Sequence, residues 1–227
     1  MLTVCFWYDY GMKLFAAAAL LLVPVSIQAY TVFETDISQP YEIVPIEATP
    51  PIAHNYLGTL ADYPVMYEIS SEEPFTFAAQ VSQRAGAAVE PISLLLIRKN
   101  DRGGGVSEVA RMNIDPAEWI RVSDAKLGMS LVTSPLLSES VEPGTYRIEV
   151  SSPDNIGRYL LTVGQEQTEP GYFAELGAIR QTQAYFGIGI FSMLKSSYVY
   201  YPIGILLLLF PLYKTWSYRH LIRRDGA

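Results

Sequence analysis

Residues 143–164 read PGTYRIEVSSPDNIGRYLLTVG and give the clearest indication of the fold. Tyr146, Ile148 and Val150 alternate with polar residues, which is the period of a β-strand with one buried face. The segment PDNIG at 153–157 is rich in turn residues, and RYLLTVG then returns as a second strand. The pattern predicts a β-hairpin with Tyr146 in the core.

Further short strand patterns precede this hairpin, separated by Gly, Pro, Asp and Asn and without a strong helical period. They are PVMYEIS (64–70), PFTFAAQVS (74–82), PISLLLIRKN (91–100), RGGGVSEVARMNI (102–114) and SLVTSPLL (130–137). Strands of this length and spacing are typical of all-β domains with two packed sheets. We therefore expect an antiparallel β-sandwich or jelly roll over residues 56–166.

Three segments together resemble the bacterial pre-peptidase C-terminal domain: LGTLADYPVMYEISSEEPFTFAAQVSQ, PISLLLIRKNDRGG and EPGTYRIEVSSPDNIGRYLLTVG. The resemblance covers about residues 56–164 and is most specific in the closing hairpin. It implies a β-sandwich that is non-catalytic and serves binding or folding. The segment at 115–140 departs from the compact family pattern. Trp119 lies in this turn-rich insertion and is a candidate partner contact, although a core role at one end of the sandwich is the alternative.

The N-terminal region has the pattern of a secretory signal peptide over residues 1–29. Lys13 precedes an apolar run from Leu14 to Val25, and Ala29 ends a suitable cleavage site. Residues 1–11 contribute no positive charge to a signal peptide, so Met12 is the better start. An uncleaved membrane helix is the alternative, but the run is shorter than a span needs. Residues 30–55 form a proline-rich lead-in, which we interpret as a linker or an edge strand.

The C-terminal stretch YVYYPIGILLLLFPLYKTWSYRHLIRR, residues 198–224, predicts a transmembrane helix at 198–218. A helix of that length measures about 30 Å, enough to cross the hydrocarbon core. A buried core helix is the alternative, but the cations that follow at once oppose it. The side chains predicted at the membrane interfaces are Tyr198, Tyr200, Tyr201, Lys214, Trp216 and Tyr218. The basic tail at 219–227 predicts a cytoplasmic C-terminus and an extracytoplasmic sandwich.

Between the two regions, residues 170–195 predict an amphipathic juxtamembrane helix. Tyr172, Leu176, Ile179, Gln183, Phe186, Ile190 and Met193 recur at helical spacing and form one mostly apolar stripe. This stripe has three possible neighbours: the membrane surface, the sandwich or a second chain. Leu176, Ile179, Phe186 and Ile190 are accordingly candidate partner contacts.

The charge and the scarcity of reactive side chains limit the function classes. Of the 23 acidic residues all but Asp9 and Asp225 lie within 30–197, as do 11 of the 16 basic ones, so this region carries a net charge of −10. Such a surface opposes nucleic-acid binding. Cys5 is the single cysteine, and His54 is the single histidine ahead of the predicted span. We expect no enzyme activity, no cofactor and no metal site. Asp154 and Asn155 offer oxygen ligands for calcium, but no residue pattern supports calcium or a carbohydrate.

The sequence therefore predicts a single-pass protein of the cell membrane whose extracytoplasmic β-sandwich binds a partner. Besides the lipid bilayer, the expected partner is another envelope or membrane protein. The alternative is a structural or accessory subunit of a membrane complex, which would use the stripe and the span as its contact surface. An extracytoplasmic hydrolase ranks third.

Overall fold

A computed structural model describes residues 31–35, 37, 39–46, 52–86, 88–100, 105–112, 116–166 and 171–222. The predicted signal peptide at 1–29 lies outside the described residues, as does the end of the basic tail at 223–227.

The described part of the chain is mainly β, with two packed sheets followed by helices. The strands are β1 (Val32–Thr35), β2 (Ile43–Pro45), β3 (His54–Ala61), β4 (Val65–Ser71), β5 (Phe75–Arg84), β6 (Ser93–Lys99), β7 (Val106–Met112), β8 (Ile120–Asp124), β9 (Met129–Thr133), β10 (Leu137–Val141), β11 (Gly144–Ser151) and β12 (Ile156–Val163). The larger sheet, sheet A, has the order β1-β3-β12-β5-β9-β8, with β10 also paired to β5. The smaller, sheet B, has the order β2-β4-β11-β6-β7. The predicted β-sandwich is confirmed.

The two strands at 143–164 form as predicted, but they do not pair with each other. β11 pairs with β4 and β6 in sheet B, whereas β12 pairs with β3 and β5 in sheet A. The predicted hairpin is therefore wrong, and the turn between them carries the chain from one sheet to the other. Asn155 adopts a positive φ of 47°, and its side-chain oxygen accepts a hydrogen bond from the Ser152 N–H at 3.2 Å. This use of Asn155 explains the turn without a bound ion.

The main core fills the space between the sheets. Tyr146, Ile148 and Val150 of β11 are buried there, as their alternation predicts. The Tyr67 hydroxyl of sheet B and the Tyr159 hydroxyl of sheet A lie 3.0 Å apart in this core and form a hydrogen bond. Each buried hydroxyl thus has a polar partner, which offsets the cost of removing it from water.

The proline-rich lead-in supplies an edge strand to each sheet. β1 pairs with β3 and β2 pairs with β4, and both pairs are parallel. The sandwich is therefore mixed at these two edges and not antiparallel throughout. Edge positions suit this segment because a proline there interrupts no ladder on its free side.

The insertion at 115–140 forms three strands of sheet A, β8, β9 and β10, in place of an irregular loop. β8 and β9 make a hairpin, and β9 and β10 both pair with the long strand β5. Trp119 follows a short 3₁₀ helix, Pro116–Glu118, and is only 8 % exposed within the main core. The core alternative for Trp119 is therefore the one that the structure adopts.

The predicted juxtamembrane helix at 170–195 is divided into an α-helix and a 3₁₀ helix. Helix α1 (Tyr172–Tyr185) is followed by a 3₁₀ helix (Ile190–Lys195) and then by helix α2 (Ser197–Ile222). Gly187 has a φ of 70°, and its N–H and that of Ile188 bond to the carbonyls of Ala184 and Gln183. A residue with a positive φ whose neighbouring N–H groups bond to the last free carbonyls is a common end of an α-helix. The apolar stripe therefore does not continue beyond Gly187 on the same helix.

Helix α1 forms a third layer on the outer face of sheet A. Ile179 and Phe186 pack there among Leu57, Leu131 and Leu160, which point away from the main core. Among the residues that the structure describes, helix α2 is the one helix long and apolar enough to cross a membrane, from Ser197 to Tyr218. It contains Pro202 and Pro211 and continues through both.

Candidate functional site: the sandwich–helix junction

The tight turn between β8 and β9 is the part of the sandwich that meets the start of α2. Asp124 begins this turn, and its carboxylate accepts a hydrogen bond from the Leu127 N–H at 2.9 Å. Gly128 ends it with a φ of 63°. A Cβ atom on Gly128 would lie 2.6 Å from the Ser196 backbone nitrogen, so glycine is required here for space as well as for conformation.

A buried ion pair joins this turn to α1. The Lys126 Nζ lies 2.5 Å from a carboxylate oxygen of Glu175. The Glu175 side chain is 0 % exposed and the Lys126 side chain 22 % exposed. A buried carboxylate is costly without an opposite charge nearby. The ammonium of Lys126 therefore allows the Glu175 side chain to be buried between α1 and the β8–β9 turn.

Hydrogen bonds then fix the same turn to the residues that open α2. The Ser196 hydroxyl donates to the Lys126 carbonyl at 2.5 Å, and the Ser197 N–H donates to the Ala125 carbonyl at 2.8 Å. The Gln183 amide donates to the Leu127 carbonyl at 2.7 Å. Three carbonyls of one turn are thus bonded to the helical layer. We call the set Ala125–Gly128, Glu175, Gln183 and Ser196–Tyr198 the sandwich–helix junction.

An aromatic contact completes the sandwich–helix junction on the side of α1. The Tyr172 hydroxyl donates to the Tyr198 carbonyl at 2.7 Å, and the two rings stack with centroids 6.0 Å apart. The Lys126 Nζ lies 5.6 Å from the centre of the Tyr198 ring. The first turns of α1 and α2 are therefore held together by a hydrogen bond and a ring stack, and the cation–π contact joins α2 to the β8–β9 turn.

A second polar contact fixes the other end of α1. Arg158 of β12 donates to the Tyr185 carbonyl at 2.7 Å, and the Tyr185 hydroxyl donates to the Gly58 carbonyl of β3. Burial raises the pKa of Tyr185 to about 12, although a hydrogen bond with Thr59 and the charge of Arg158 act in the opposite direction. The neutral phenol is therefore strongly favoured in the folded protein.

The chemistry of the sandwich–helix junction is that of a rigid attachment. Glu175, Thr182, Gln183 and Ser196 are fully buried polar residues concentrated in the helical layer. Their hydrogen bonds and the ion pair join α1 to the β8–β9 turn and the turn to the start of α2, while Gln183 Oε1 has no hydrogen-bond partner among the described residues. Among the described residues no cluster of three or more His, Cys, Asp or Glu has the spacing of a metal site.

The predicted partner contacts fall into three environments. Trp119 is in the main core, and Ile179 and Phe186 are buried between α1 and sheet A, so these three are not available to a partner in this arrangement. Leu176 is partly buried. Ile190 is on the 3₁₀ helix and mostly exposed. The structure thus brings Ile179 and Phe186 together and separates Ile190 from them.

The residues predicted at the membrane interfaces all lie on α2. Tyr200 and Tyr201 are exposed near its start, with ring centroids 4.3 Å apart, while Tyr198 is partly buried in the sandwich–helix junction. Trp216 and Tyr218 are exposed near the other end. There the Lys214 ammonium lies 5.6 Å from the centre of the Tyr218 ring.

The sequence interpretation missed Lys126, Glu175 and Ser196. Glu175 is three residues after Tyr172 and four before Ile179, so helical spacing places it on the buried face. An acidic residue within an apolar face was the available signal for a buried ion pair. The identity of its partner, 49 positions earlier in the chain, had no signal in the sequence.

Comparisons with known proteins give distant structural neighbours. No protein-family model matches this chain, and no curated protein sequence matches it. Among solved structures, the pre-peptidase C-terminal domain of a collagenase from Bacillus anthracis is similar, with 15% identity over 56% of this chain and 98% of that one, and a TM-score of 0.35. The Yersinia pseudotuberculosis-derived mitogen shows 15% identity over 53% of this chain and 91% of its own, with a TM-score of 0.36.

A third similar structure is PliG, a periplasmic inhibitor of g-type lysozyme from Aeromonas hydrophila. It shows 10% identity over 60% of this chain and 98% of its own, with a TM-score of 0.33. The resemblance to the pre-peptidase C-terminal domain that the sequence predicts is thus present among the structural neighbours. At these identities the similarity concerns the fold of the sandwich alone.

Proposed function

We propose that this chain is a single-pass membrane protein whose extracytoplasmic sandwich binds another protein of the envelope or membrane. The observation that carries the proposal is the sandwich–helix junction. Ser197, the first residue of α2, is bonded directly to the β8–β9 turn of the sandwich. A sandwich attached in this way is held at a fixed height and angle above the bilayer, which suits recognition of a partner in the same membrane.

The recognition surface that we propose is the free edge of β8. This strand pairs with β9 on one side and ends sheet A on the other. Ile120 and Val122 are exposed on it and share one face of the strand. An open edge with exposed β-branched residues presents N–H and C=O groups to a partner strand, while the side chains give specificity.

Orientation is tested with reporter fusions. A reporter that is active only outside the cytoplasm should be active after Gly164 and silent after Ala227, because Arg219, Arg223 and Arg224 directly follow the predicted span at 198–218, whereas Lys195 alone directly precedes it. The reverse pattern would overturn the proposed topology.

Partner binding is tested by cross-linking in native membranes, followed by affinity purification of the full chain and mass spectrometry. The double variant Ile120→Lys with Val122→Lys should lose the cross-linked partner, since two added positive charges on one face of the edge strand oppose strand addition. The matched control is Ile156→Lys, which places the same charge at an exposed apolar position of β12. Equal loss in the control would remove the β8 edge from the proposal.

The alternative, an accessory subunit of a membrane complex, would use the helical region. Two of its predicted contacts, Ile179 and Phe186, already pack on sheet A, which leaves α2 as the main candidate surface. Replacing residues 199–218 by an unrelated span should then release the co-purifying subunits. Retention of the partner after this replacement favours recognition by the sandwich.

A further inference from the structure

A group of large apolar side chains in the helical layer faces away from the sandwich. Phe173 and Phe191 are each 84% exposed, and Leu194 is 55% exposed. Phe191 and Leu194 are three residues apart in a 3₁₀ helix, so their side chains lie on the same face of it. Exposed aromatic residues of this size need an explanation, because water is a poor environment for them.

These side chains are located where α2 would enter a bilayer. The Phe173 ring centroid is 5.4 Å from that of Tyr172, which stacks on Tyr198 in the first turn of α2. Leu194 is three residues before Ser197, and the 3₁₀ helix ends between them at Lys195, so at most about 10 Å of chain separates the two residues. The headgroup layer on each side of a bilayer is about 5–7 Å thick. The apolar group is therefore close to that layer if α2 spans the membrane.

The surrounding charge is also suited to lipid. From Gly171 to Tyr213 the charged residues are Glu175, Arg180 and Lys195. Glu175 is buried in its ion pair, and Arg180 donates a hydrogen bond to the Ile188 carbonyl at 3.0 Å. The exposed face of α1 carries Phe173, Ala174 and Gly177 in place of charged side chains. Lys195 is exposed next to Leu194, where its ammonium can extend to the lipid headgroups, and the rest of this outer surface continues the uncharged surface of α2.

We infer that Phe173, Phe191 and Leu194 form a lipid-binding surface that inserts into the headgroup region of the same bilayer that α2 crosses. This inference rests on the proposed membrane anchoring. Of the three possible neighbours of the stripe, sheet A covers Ile179 and Phe186, and it is the opposite side of the helical layer that faces the lipid. The sandwich then has two attachments, the span and this surface, and both act through the sandwich–helix junction.

The test is electron paramagnetic resonance on the full chain in phosphatidylcholine vesicles. Single cysteines for a nitroxide label are introduced, one at a time, by Phe173→Cys, Phe191→Cys or Leu194→Cys in a background that carries Cys5→Ser. The depth parameter compares the accessibility of the label to oxygen, which enters lipid, with its accessibility to a water-soluble nickel chelate. It should be positive at all three positions. Val106→Cys, at an exposed apolar position of sheet B, is the matched control and should give a negative value.

Two results would overturn the inference. A negative depth parameter at Phe191 and Leu194 places them in water, and low accessibility to both reagents indicates that a second copy or another protein covers them. A label at Leu207→Cys, exposed in the middle of α2, separates this failure from failure of the anchoring. A positive value there with negative values at Phe191 and Leu194 leaves the span intact and refutes the lipid-binding surface, whereas a negative value at Leu207 refutes both.

Discussion

Removing the charge of Lys126 should destabilise the protein more than any exposed charge change. In Lys126→Met the Glu175 carboxylate, which is 0% exposed, loses the ammonium that lies 2.5 Å from it. An ion left buried without its partner costs about 3–5 kcal/mol, a large part of the ~5–15 kcal/mol that stabilises a typical domain. At about 2–4 °C per kcal/mol for a chain of this size, the melting temperature should fall by roughly 6–20 °C.

The double variant Lys126→Met with Glu175→Gln tests whether the unpaired Glu175 carboxylate causes the loss of stability. It contains no unpaired charge, so we expect it to be more stable than Lys126→Met alone and to show a coupling energy of about 1–3 kcal/mol in a double-mutant cycle. Glu175→Gln alone should be milder than Lys126→Met, because the Lys126 side chain is 22% exposed and its ammonium has access to water.

The assay is thermal unfolding of the full chain in mild detergent, monitored by the circular dichroism signal of the β-strands. Arg111→Met is the matched control, since Arg111 pairs with Glu108 at 2.9 Å on the exposed surface of β7, and its melting temperature should be unchanged. If Lys126→Met melts like the wild type, or if the two single effects simply add, the buried ion pair does not hold the turn to α1.

Three further predictions concern the turn, the core and the helix end. Gly128→Ala should release α2 from the sandwich and increase proteolysis near Ser196, because the new Cβ atom would collide with backbone atoms of Lys195 and Ser196. Gly86 also has a positive φ, 98°, but there is open space around it, so the control Gly86→Ala should cost only about 1–2 kcal/mol of stability. Tyr146→Asp should lower the free energy of unfolding by several kcal/mol in chemical denaturation, because it places an unpaired charge in the core. Tyr146→Phe loses only the hydrogen bond to the Glu142 carbonyl and should cost about 0.5–1.5 kcal/mol. Equal effects of the two variants would contradict the buried position of this ring. Because burial raises the pKa of Tyr185 from 10.0 to about 12, its stabilising contribution is complete below pH 10 and is lost as the pH rises to about 12. Tyr185→Phe should therefore lose less stability than the wild type over that interval in melting experiments, and identical losses would show that this phenol does not contribute.

Local pattern was sufficient for the elements that depend on neighbours in sequence. Tyr146, Ile148 and Val150 alternate with polar residues, and this alternation places them in the core whichever sheet receives the strand. The helix that is long and apolar enough to span a bilayer is similarly local, because the length of an uncharged run flanked by aromatic residues is a property of that segment alone. The sandwich class also followed from the sequence, since short alternating strands need a second sheet to cover their apolar faces.

Pairing between distant segments was decided only by the tertiary structure. The alternation in β11 and β12 is the same whether the strands pair with each other or with strands of opposite sheets, so the predicted hairpin was wrong. The insertion at 115–140 became part of sheet A because β5 is long enough to pair with both β9 and β10. No local pattern distinguishes these arrangements, since they differ in long-range hydrogen bonds and not in which faces are apolar.

The sandwich–helix junction was likewise beyond the sequence. Helical spacing placed Ile179 and Phe186 on one stripe, but the left-handed turn at Gly187 ends α1 and turns Ile190 away from that stripe. Whether the stripe faced lipid, a second chain or sheet A depended on the apolar outer face of sheet A, which exists only once distant strands have paired. The sequence by itself determined which faces of the strands and helices are apolar, and the tertiary structure decided what covers those faces, because apolar burial is non-directional while ion pairs and hydrogen bonds require one geometry.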